Sequence, residues 1–451
     1  MQFISISMLI SMLISKKVEI FLLTILFWLS FSATMHAQSS LYFPPLVGTA
    51  WQTIAPASLG WCPDKVDSLH NYLGDHHTKA CIILKDGKIA AEWYYGNFTQ
   101  DSVHYWASAG KTITGLLVGV AQQEGLLAIN DTTSRYLGSG WTSLSPAKER
   151  LITLKHNLTM TTGLDDGVPD DNCTLPSCLI YKTDAGTRWA YYNASYRLLQ
   201  DVVANASNMT YQQYTTSRLK QKTGMTGLWY DYIYYSTARS MARFGLLLLN
   251  KGIWNTTAVL SDTAYFNAII NTSNAYNLSY GYLTWLNGKA SCMVPQSQLV
   301  FSQSLIPSAP ADMFCALGKN DQKVYVVPSQ HLVVIRLGEA ATNQALALSA
   351  FDEPLWQKIN DLVCSTSTNI EQASKTNIAI FPNPAQDILN LKSTEPIENI
   401  ALYNDLGQLL ITEQVSSLFE KKLDITSLYK GIYFIVVQAK NKTERLKWVK
   451  E

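Results

Sequence analysis

The stretch from Trp106 to Gly125, WASAGKTITGLLVGVAQQEG, constrains the fold more than any other. It reads as a helix of apolar and small residues, and such a helix has little to offer water and belongs in a domain core. At its head stands Ser108-Ala109-Gly110-Lys111, an S-x-x-K. A hydroxyl and an amine one turn apart let Lys111 reach Ser108 Oγ. The N–H groups of a helix start are unpaired and electropositive, which suits them to an oxyanion. A serine alone is a poor nucleophile and needs a base beside it. Lys111 qualifies if burial keeps its amine neutral. The competing reading is a buried serine that only caps the helix.

The motif is short, and the chain holds four matches, at Ser108, Ser145, Ser217 and Ser427. Ser145 precedes Pro146 and a charged run, the pattern of an N-cap with proline at the first helical position. Ser217 lies in the polar stretch SRLKQK, and Ser427 falls in a separate C-terminal segment. Only Ser108 has apolar surroundings. A second chemical stretch, TRWAYYNASY from Thr187 to Tyr196, places Tyr191 and Asn193 in a Y-x-N. A phenol near Ser108 and Lys111 relays a proton to a leaving group. Asn193 is suited to hydrogen-bond Lys111 or a substrate amide. Y-x-N recurs at Tyr95 and Tyr265, so a core tyrosine beside a capped turn competes with this reading.

Before the helix, Pro63 to Leu73 reads as an amphipathic helix. Ala80 to Leu84, the turn Asp86-Gly87, and Ile89 to Tyr95 read as a β-hairpin. After it, Asp165 to Thr187 is rich in Asp, Gly, Pro and Thr and is expected to be a long loop, a common form of site lid. Ser195 to Ala206, Ser236 to Asn250 and Glu353 to Cys364 read as helices. Met313 to Leu317, Val324 to Val327 and Leu332 to Leu337 read as strands, rich in β-branched residues. Strands at both ends of the domain with helices between predict an α+β fold, an antiparallel sheet flanked by helices plus an all-helical subdomain.

The formal net charge is +1, and no basic stripe points to nucleic acid. Seven histidines are scattered without metal-ligand spacing, so neither a metal nor a cofactor is expected. Lys16 and Lys17, the apolar run Ile20 to Phe31, and Met35-His36-Ala37 match a signal peptide over residues 1–37; an N-terminal anchor is the alternative. The apolar run is short for a stable membrane span. Seven cysteines in an exported chain leave at least one unpaired within it. Cys173 and Cys178, in CTLPSC, are the candidates for a tight loop disulfide, against two free thiols on a flexible loop.

WASAGKTITG, LTMTTGL, GTRWAYYNASYRLL, ARSMARFGLLLLNKGIW and VYVVPSQHLVVIRLG, in that order and at that spacing, resemble the serine β-lactamase-related superfamily. The likeness is to its class C β-lactamase, DD-peptidase, esterase and aminohexanoate-oligomer hydrolase branch, over Trp61 to Cys364. It implies that Ser108 is acylated, that Lys111 is its base, that Tyr191 is the second-motif tyrosine, and that Asn193 is its partner. It also implies a β-lactamase/transpeptidase-like fold with the site between sheet and helical subdomain. The family's third motif pairs a Lys or His with a small residue and Gly on a strand. The literal Lys222-Thr223-Gly224 ends a polar helical stretch and reads as a helix C-terminus. The position before the last strands reads Ala316-Leu317-Gly318-Lys319, with alanine in place of the cation. Gly318 lets backbone approach a substrate closely, and the N–H groups of Ser108 and Lys319 are the candidate oxyanion donors.

Residues 365–376 read as a polar linker, which leaves residues 38–364 as the hydrolase domain. Residues 377–451 alternate short apolar runs with turns such as Asn404 to Gly407, predicting a small β-sandwich. Pro382-Asn383-Pro384 and Gly431-Ile432-Tyr433 there resemble the C-terminal sorting domain of type IX secretion. That implies a Bacteroidetes-type Gram-negative cell, engagement of the secretion machinery, passage across both membranes to the surface or medium, and removal of the domain on export. The alternative is a substrate-binding sandwich module. Three functions follow: a secreted serine hydrolase acting on a small-molecule ester or amide, a cell-wall DD-peptidase or β-lactamase, or a catalytically silent binding protein. The missing cation at Ala316 favours the first over the second, and the Ser108, Lys111, Tyr191 set weighs against the third.

Overall fold

The computed structural model describes residues 41–342, 348–364, 378–404, 408–440 and 442–451. The expected signal peptide (1–37), the linker (365–376) and most of the turn at 404–407 lie outside the described residues. The chain divides into two compact units, Met1–Cys364 and Ser365–Glu451.

In the first unit, helix α1 (Pro63–Asp75) leads into β1 (Thr78–Lys85) and β2 (Lys88–Tyr94). Asp86 and Gly87, both at positive φ (52° and 81°), make the tight turn between the two strands. Helix α2 (Gly110–Gln123) is the small-residue helix, buried at every position from Gly110 to Ala121. Its glycines are what let it sit there: a Cβ on Gly119 would lie 2.3 Å from the Tyr265 ring. Helix α3 (Asn193–Ser207) and the short helices Ser134–Leu137, Leu154–Leu158 and Tyr211–Thr215 belong to the expected helical subdomain. Trp141, Ile152, Leu164, Leu179, Tyr192 and Leu198 form a small core there.

Helix α4 (Ala238–Leu249) is followed by β3 (Trp285–Leu286), β4 (Phe314–Gly318), β5 (Gln322–Val327), β6 (Leu332–Gly338) and helix α5 (Asp352–Asn360). The sheet order is β2-β1-β6-β5-β4-β3, antiparallel throughout. The last strands therefore pair with the first, and β6 lies against β1 from Thr78–Gly338 to Lys85–Leu332. Helix α4 presses on the sheet so closely that a Cβ on Gly245 would lie 2.4 Å from Val333 Cγ1. Terminal helix α5 packs on the sheet through Trp356, edge-on to Tyr325 at 5.4 Å. A disulfide between Cys62 and Cys364, 302 residues apart, ties the start of α1 to the end of the unit. No sequence pattern singled out this pair.

The second unit is a curled, sandwich-like antiparallel sheet. Its strands are β7 (Ala379–Phe381), β8 (Ile388–Asn404), β9 (Leu409–Asp424), β10 (Gly431–Ala439) and β11 (Lys442–Lys450). The first half of β8 pairs with β7 and its second half with β10, while β9 runs along both halves. A parallel bridge from Ala385 to Lys450 joins the two ends of the sheet. Leu389, Leu391, Ile400, Leu402, Ile435 and Trp448 fill the core of this unit.

Candidate active site

Ser108 sits in a 3-10 turn, Ala107–Ala109, that runs directly into α2. The turn is pinned from below by buried Trp106, whose N–H donates to Tyr234 O (2.8 Å) and whose Nε1 donates to Ser236 Oγ (2.9 Å). Ala107, the residue before the serine, is held at φ +48°. A left-handed non-glycine residue is strained and persists where the surroundings over-determine it. The effect is to present Ser108, half-buried, at the mouth of an otherwise buried helix.

Lys111 projects from the first turn of α2 and is 2% exposed. Its Nζ lies 2.6 Å from Ser108 Oγ and 2.8 Å from Asn193 Oδ1. The Tyr196 and Tyr191 rings stand 4.2 and 4.8 Å away. Burial holds the amine well below the usual lysine range; Asp171 opposes this, and Arg197 adds to it. The amine is thereby poised to accept a proton. The two ring faces can steady the ammonium once it forms.

Tyr191 comes from the chain entering α3. Its ring stacks on Trp285 at 5.6 Å and meets Tyr280 edge-on at 6.2 Å. Its buried hydroxyl faces Ser108 and is otherwise unpartnered among the described residues. Burial pushes the phenol pKa up, with Ser108 pulling slightly the other way. The group is therefore a neutral phenol at ordinary pH, able to donate or relay a proton rather than act as a phenolate base. Asn193 is the first residue of α3, and its Nδ2 donates to Asp171 Oδ2 at 3.0 Å.

Gly318, the last residue of β4, abuts the nucleophile turn: a Cβ there would lie 2.3 Å from Trp106 O and 3.0 Å from Ala109 N. Strand β3 pairs only with Phe314 and Cys315, so the stretch Ala316–Gly318 has an unpaired edge beside β3. Ala316 is buried, paired with Val324, and Lys319 is exposed in the turn that follows. The rejected Lys222-Thr223-Gly224 is a helix end, with Gly224 left-handed at φ +69°. Cys173 and Cys178 are bonded (Cα–Cα 6.0 Å) in the Asp165–Thr187 loop. Cys81, Cys292 and Cys315 are buried free thiols.

The structure thus gathers Ser108, Lys111, Tyr191 and Asn193, and it brings the Gly318 strand end against the nucleophile turn. It adds residues that sequence reading missed. Tyr196 sits three residues after Asn193, one helical turn on, and that spacing was the available signal. Asp171 had no distinguishing signal among Asp165, Asp166, Asp170 and Asp171. Trp285 and Tyr280 are brought to Tyr191 by long-range packing alone. Among the described residues no group of three or more His, Cys, Asp or Glu side chains is placed to hold a metal. Nor is any described helix long and apolar enough to cross a membrane.

Comparison with known proteins bears on the fold and family. The chain is 25% identical over 179 residues to the "Putative penicillin-binding protein PbpX" of Bacillus subtilis, 36% of this chain and 44% of that protein. It is 28% identical over 138 residues to a β-lactamase of Escherichia coli, 29% of this chain and 36% of that protein. The chain thus spans less than half the length of these two curated relatives. Among solved structures, a "Putative 6-aminohexanoate-dimer hydrolase" from Bacillus anthracis shares the fold, with TM-score 0.54 and 17% identity over 74% of this chain and 94% of that one. Residues 379–451 match the secretion system C-terminal sorting domain. That domain implies engagement of the type IX secretion machinery and export to the cell surface or beyond. Residues 74–347 match the Beta-lactamase family. That match spans more than half of the chain, so this protein belongs to the β-lactamase family, whose fold typically houses serine hydrolases.

Proposed function

We propose that this protein is an exported serine hydrolase that cleaves a neutral ester or small amide through an acyl-enzyme on Ser108. The observation that carries this reading is the 2.6 Å approach of the buried Lys111 Nζ to Ser108 Oγ, where burial favours the neutral amine. Ser108 Oγ attacks the carbonyl carbon and gives its proton to Lys111. The oxyanion is met by the N–H groups of Ser108 and Lys319, a reading supported by the close approach of Gly318 to the nucleophile turn. Tyr191, whose buried hydroxyl faces Ser108, hands a proton to the leaving group. The Lys111 ammonium returns its proton to the Tyr191 phenolate, which restores both groups. Water then enters, gives a proton to the free Lys111 amine and attacks the acyl carbon, and that proton passes to Ser108 Oγ as the acid departs. In this reading residues 1–37 are removed as a signal peptide, and the sorting domain is cleaved near residues 365–376.

The names of the two curated relatives favour a cell-wall reading, a β-lactamase or DD-peptidase. Ala316 argues against it, because a carboxylate desolvated without a cation costs several kcal/mol. The test is covalent labelling of Ser108 by a fluorophosphonate, located by mass spectrometry, followed by turnover of p-nitrophenyl butyrate and nitrocefin. Labelling with clear ester preference is expected; preference for nitrocefin promotes the cell-wall reading, and no label at Ser108 removes both.

A further inference from the structure

Asp171 touches no reacting atom in the reaction above, yet it ends a chain of contacts that begins at the nucleophile. Ser108 Oγ lies 2.6 Å from Lys111 Nζ, Lys111 Nζ 2.8 Å from Asn193 Oδ1, and Asn193 Nδ2 3.0 Å from Asp171 Oδ2. The backbone is tied in at the same place, since Ala194 N donates to Asp171 O at 3.0 Å. The loop around Asp171 is closed just beyond it: Cys173 N donates to Asp170 O at 3.2 Å, and Cys173 is bonded to Cys178.

The chemistry of the four groups gives this chain a direction. A carboxamide has two ends of similar size, one a donor and one an acceptor, and it can flip. An ionised carboxylate only accepts. With Asp171 on one side, the Asn193 nitrogen must face the acid and the oxygen must face Lys111. That oxygen engages one N–H of Lys111. The amine lone pair is then left for the Ser108 proton. If the amide were free to flip, its N–H would compete for that lone pair and the base would be blocked half the time.

We propose that Asp171 is a positioning residue for acylation, locking the Asn193 carboxamide in the one orientation that aims Lys111 at Ser108. The proposal rests on the acyl-enzyme reading. The groups that face Lys111 are Ser108 on its own turn; Asn193, the Tyr196 ring and the Arg197 charge from α3; the Tyr191 ring from the chain before α3; and Asp171 from the loop. Of the two charges, Asp171 favours the ammonium and Arg197 opposes it.

The experiment is the rate of fluorophosphonate labelling of Ser108 on the full chain, measured across pH for wild type, Asp171→Asn, Asp171→Glu, Asn193→Ala and the Asp171→Asn/Asn193→Ala double variant. Asp171→Asn replaces an obligate acceptor with a group that accepts either amide orientation. Labelling is expected to slow on the order of 10²-fold, the size of effect that small misplacements of reacting groups produce. The pH midpoint of its acid limb is expected to move down, because the carboxylate that favoured the Lys111 ammonium is gone. That shift reports the lost charge; the positioning role is read from the rate at the high-pH plateau, from Asp171→Glu and from the double variant. Asp171→Glu is expected to retain most of the rate. In the Asn193→Ala background the Asp171→Asn change is expected to cost little, because the two act as one unit. If wild type is not labelled at Ser108, the acyl-enzyme reading falls and this proposal with it. If wild type is labelled and Asp171→Asn matches its plateau rate, the proposal alone falls, whatever its midpoint does. An undiminished Asp171→Asn effect in the Asn193→Ala background overturns it too. So does a loss in Asp171→Glu as deep as that in Asn193→Ala, an arm that stands even if Asp171→Asn fails to fold.

Discussion

Among the described residues of the first unit two lysines are buried, Lys111 and Lys323, and they are buried in opposite ways. Lys323, on β5, is fully enclosed and lies between two carboxylates, 3.1 Å from Asp321 Oδ1 and 2.8 Å from Asp352 Oδ1. Asp352 also takes the Tyr325 hydroxyl and Ser349 N. Lys111, on α2, meets a hydroxyl, a carboxamide oxygen and two phenol rings. Its carboxylate, Asp171, is one amide further away. Burial by itself therefore does not make an amine a base. An ammonium enclosed with two carboxylates belongs to the architecture, while an amine enclosed with neutral dipoles is pushed toward its unprotonated form.

That contrast breaks first at the nucleophile pair. Ser108→Ala is expected to lower turnover by on the order of 10⁴–10⁶, and Lys111→Ala by about as much, because groups that act as a unit do not add. Ser145→Ala and Ser217→Ala are expected to leave turnover nearly intact in the same assay; a comparable loss at Ser145 would mean that the wrong serine carries the acyl group. Lys323→Met is expected to show the reverse pattern. It takes the lysine charge from two buried carboxylates, to which Tyr325, Ser349 and Ala341 supply only neutral donors, and breaking such a pair costs about 3–5 kcal/mol. Its thermal midpoint should fall further than that of Lys111→Ala, which leaves a cavity but removes no partner from a buried carboxylate. Equal melting losses for the two variants would erase the distinction.

A smaller effect sharpens the same comparison through pH. Lys111 works only as the free amine, and its folded pKa is held well below 10.5 by burial. Activity should therefore rise with pH through an acid limb that lies well below the usual lysine range, as the ammonium loses its proton. Tyr191 is raised, so its phenol stays protonated across that window. An acid limb near 10.5 in the kcat/KM profile would show that Lys111 is not the base.

How much of this was legible in the sequence follows from range. Ser108 and Lys111 lie one helical turn apart in a run whose apolar composition forces burial, so both the helix and the pair could be read directly. The β1–β2 hairpin was equally local: Asp86-Gly87 supplies the positive φ its turn needs. Tyr191 and Asn193 were nameable but not placeable, since Y-x-N recurs and their approach to Lys111 depends on how α3 docks. The residues that escaped depend on tertiary packing throughout. The Cys62–Cys364 bond joins ends 302 residues apart. Asp171 differs from its acidic neighbours only in where its loop lands, and the Lys323 cluster is assembled from a strand, a turn and a terminal helix. The sheet strands were legible as strands from their β-branched runs, but not their order, which lets the last strand meet the first.

A third lysine gives the smallest expected effect. Lys319 follows Gly318 at the strand end, three residues after Ala316, where the family resemblance would place a cation. Lys319 is exposed, and an exposed ammonium is well hydrated, flexible and screened by salt. If it swings into the cleft it can meet a substrate carboxylate, but an exposed pair is worth at most about 1 kcal/mol, roughly a fivefold change. That is too little to offset a carboxylate desolvated without a buried cation. Wild type should therefore show higher kcat/KM on p-nitrophenyl butyrate than on nitrocefin. Lys319→Ala should raise KM for nitrocefin by no more than about fivefold and leave the ester unchanged. A much larger and carboxylate-selective KM effect would show that Lys319 replaces the missing cation, and that Ala316 does not set the substrate charge.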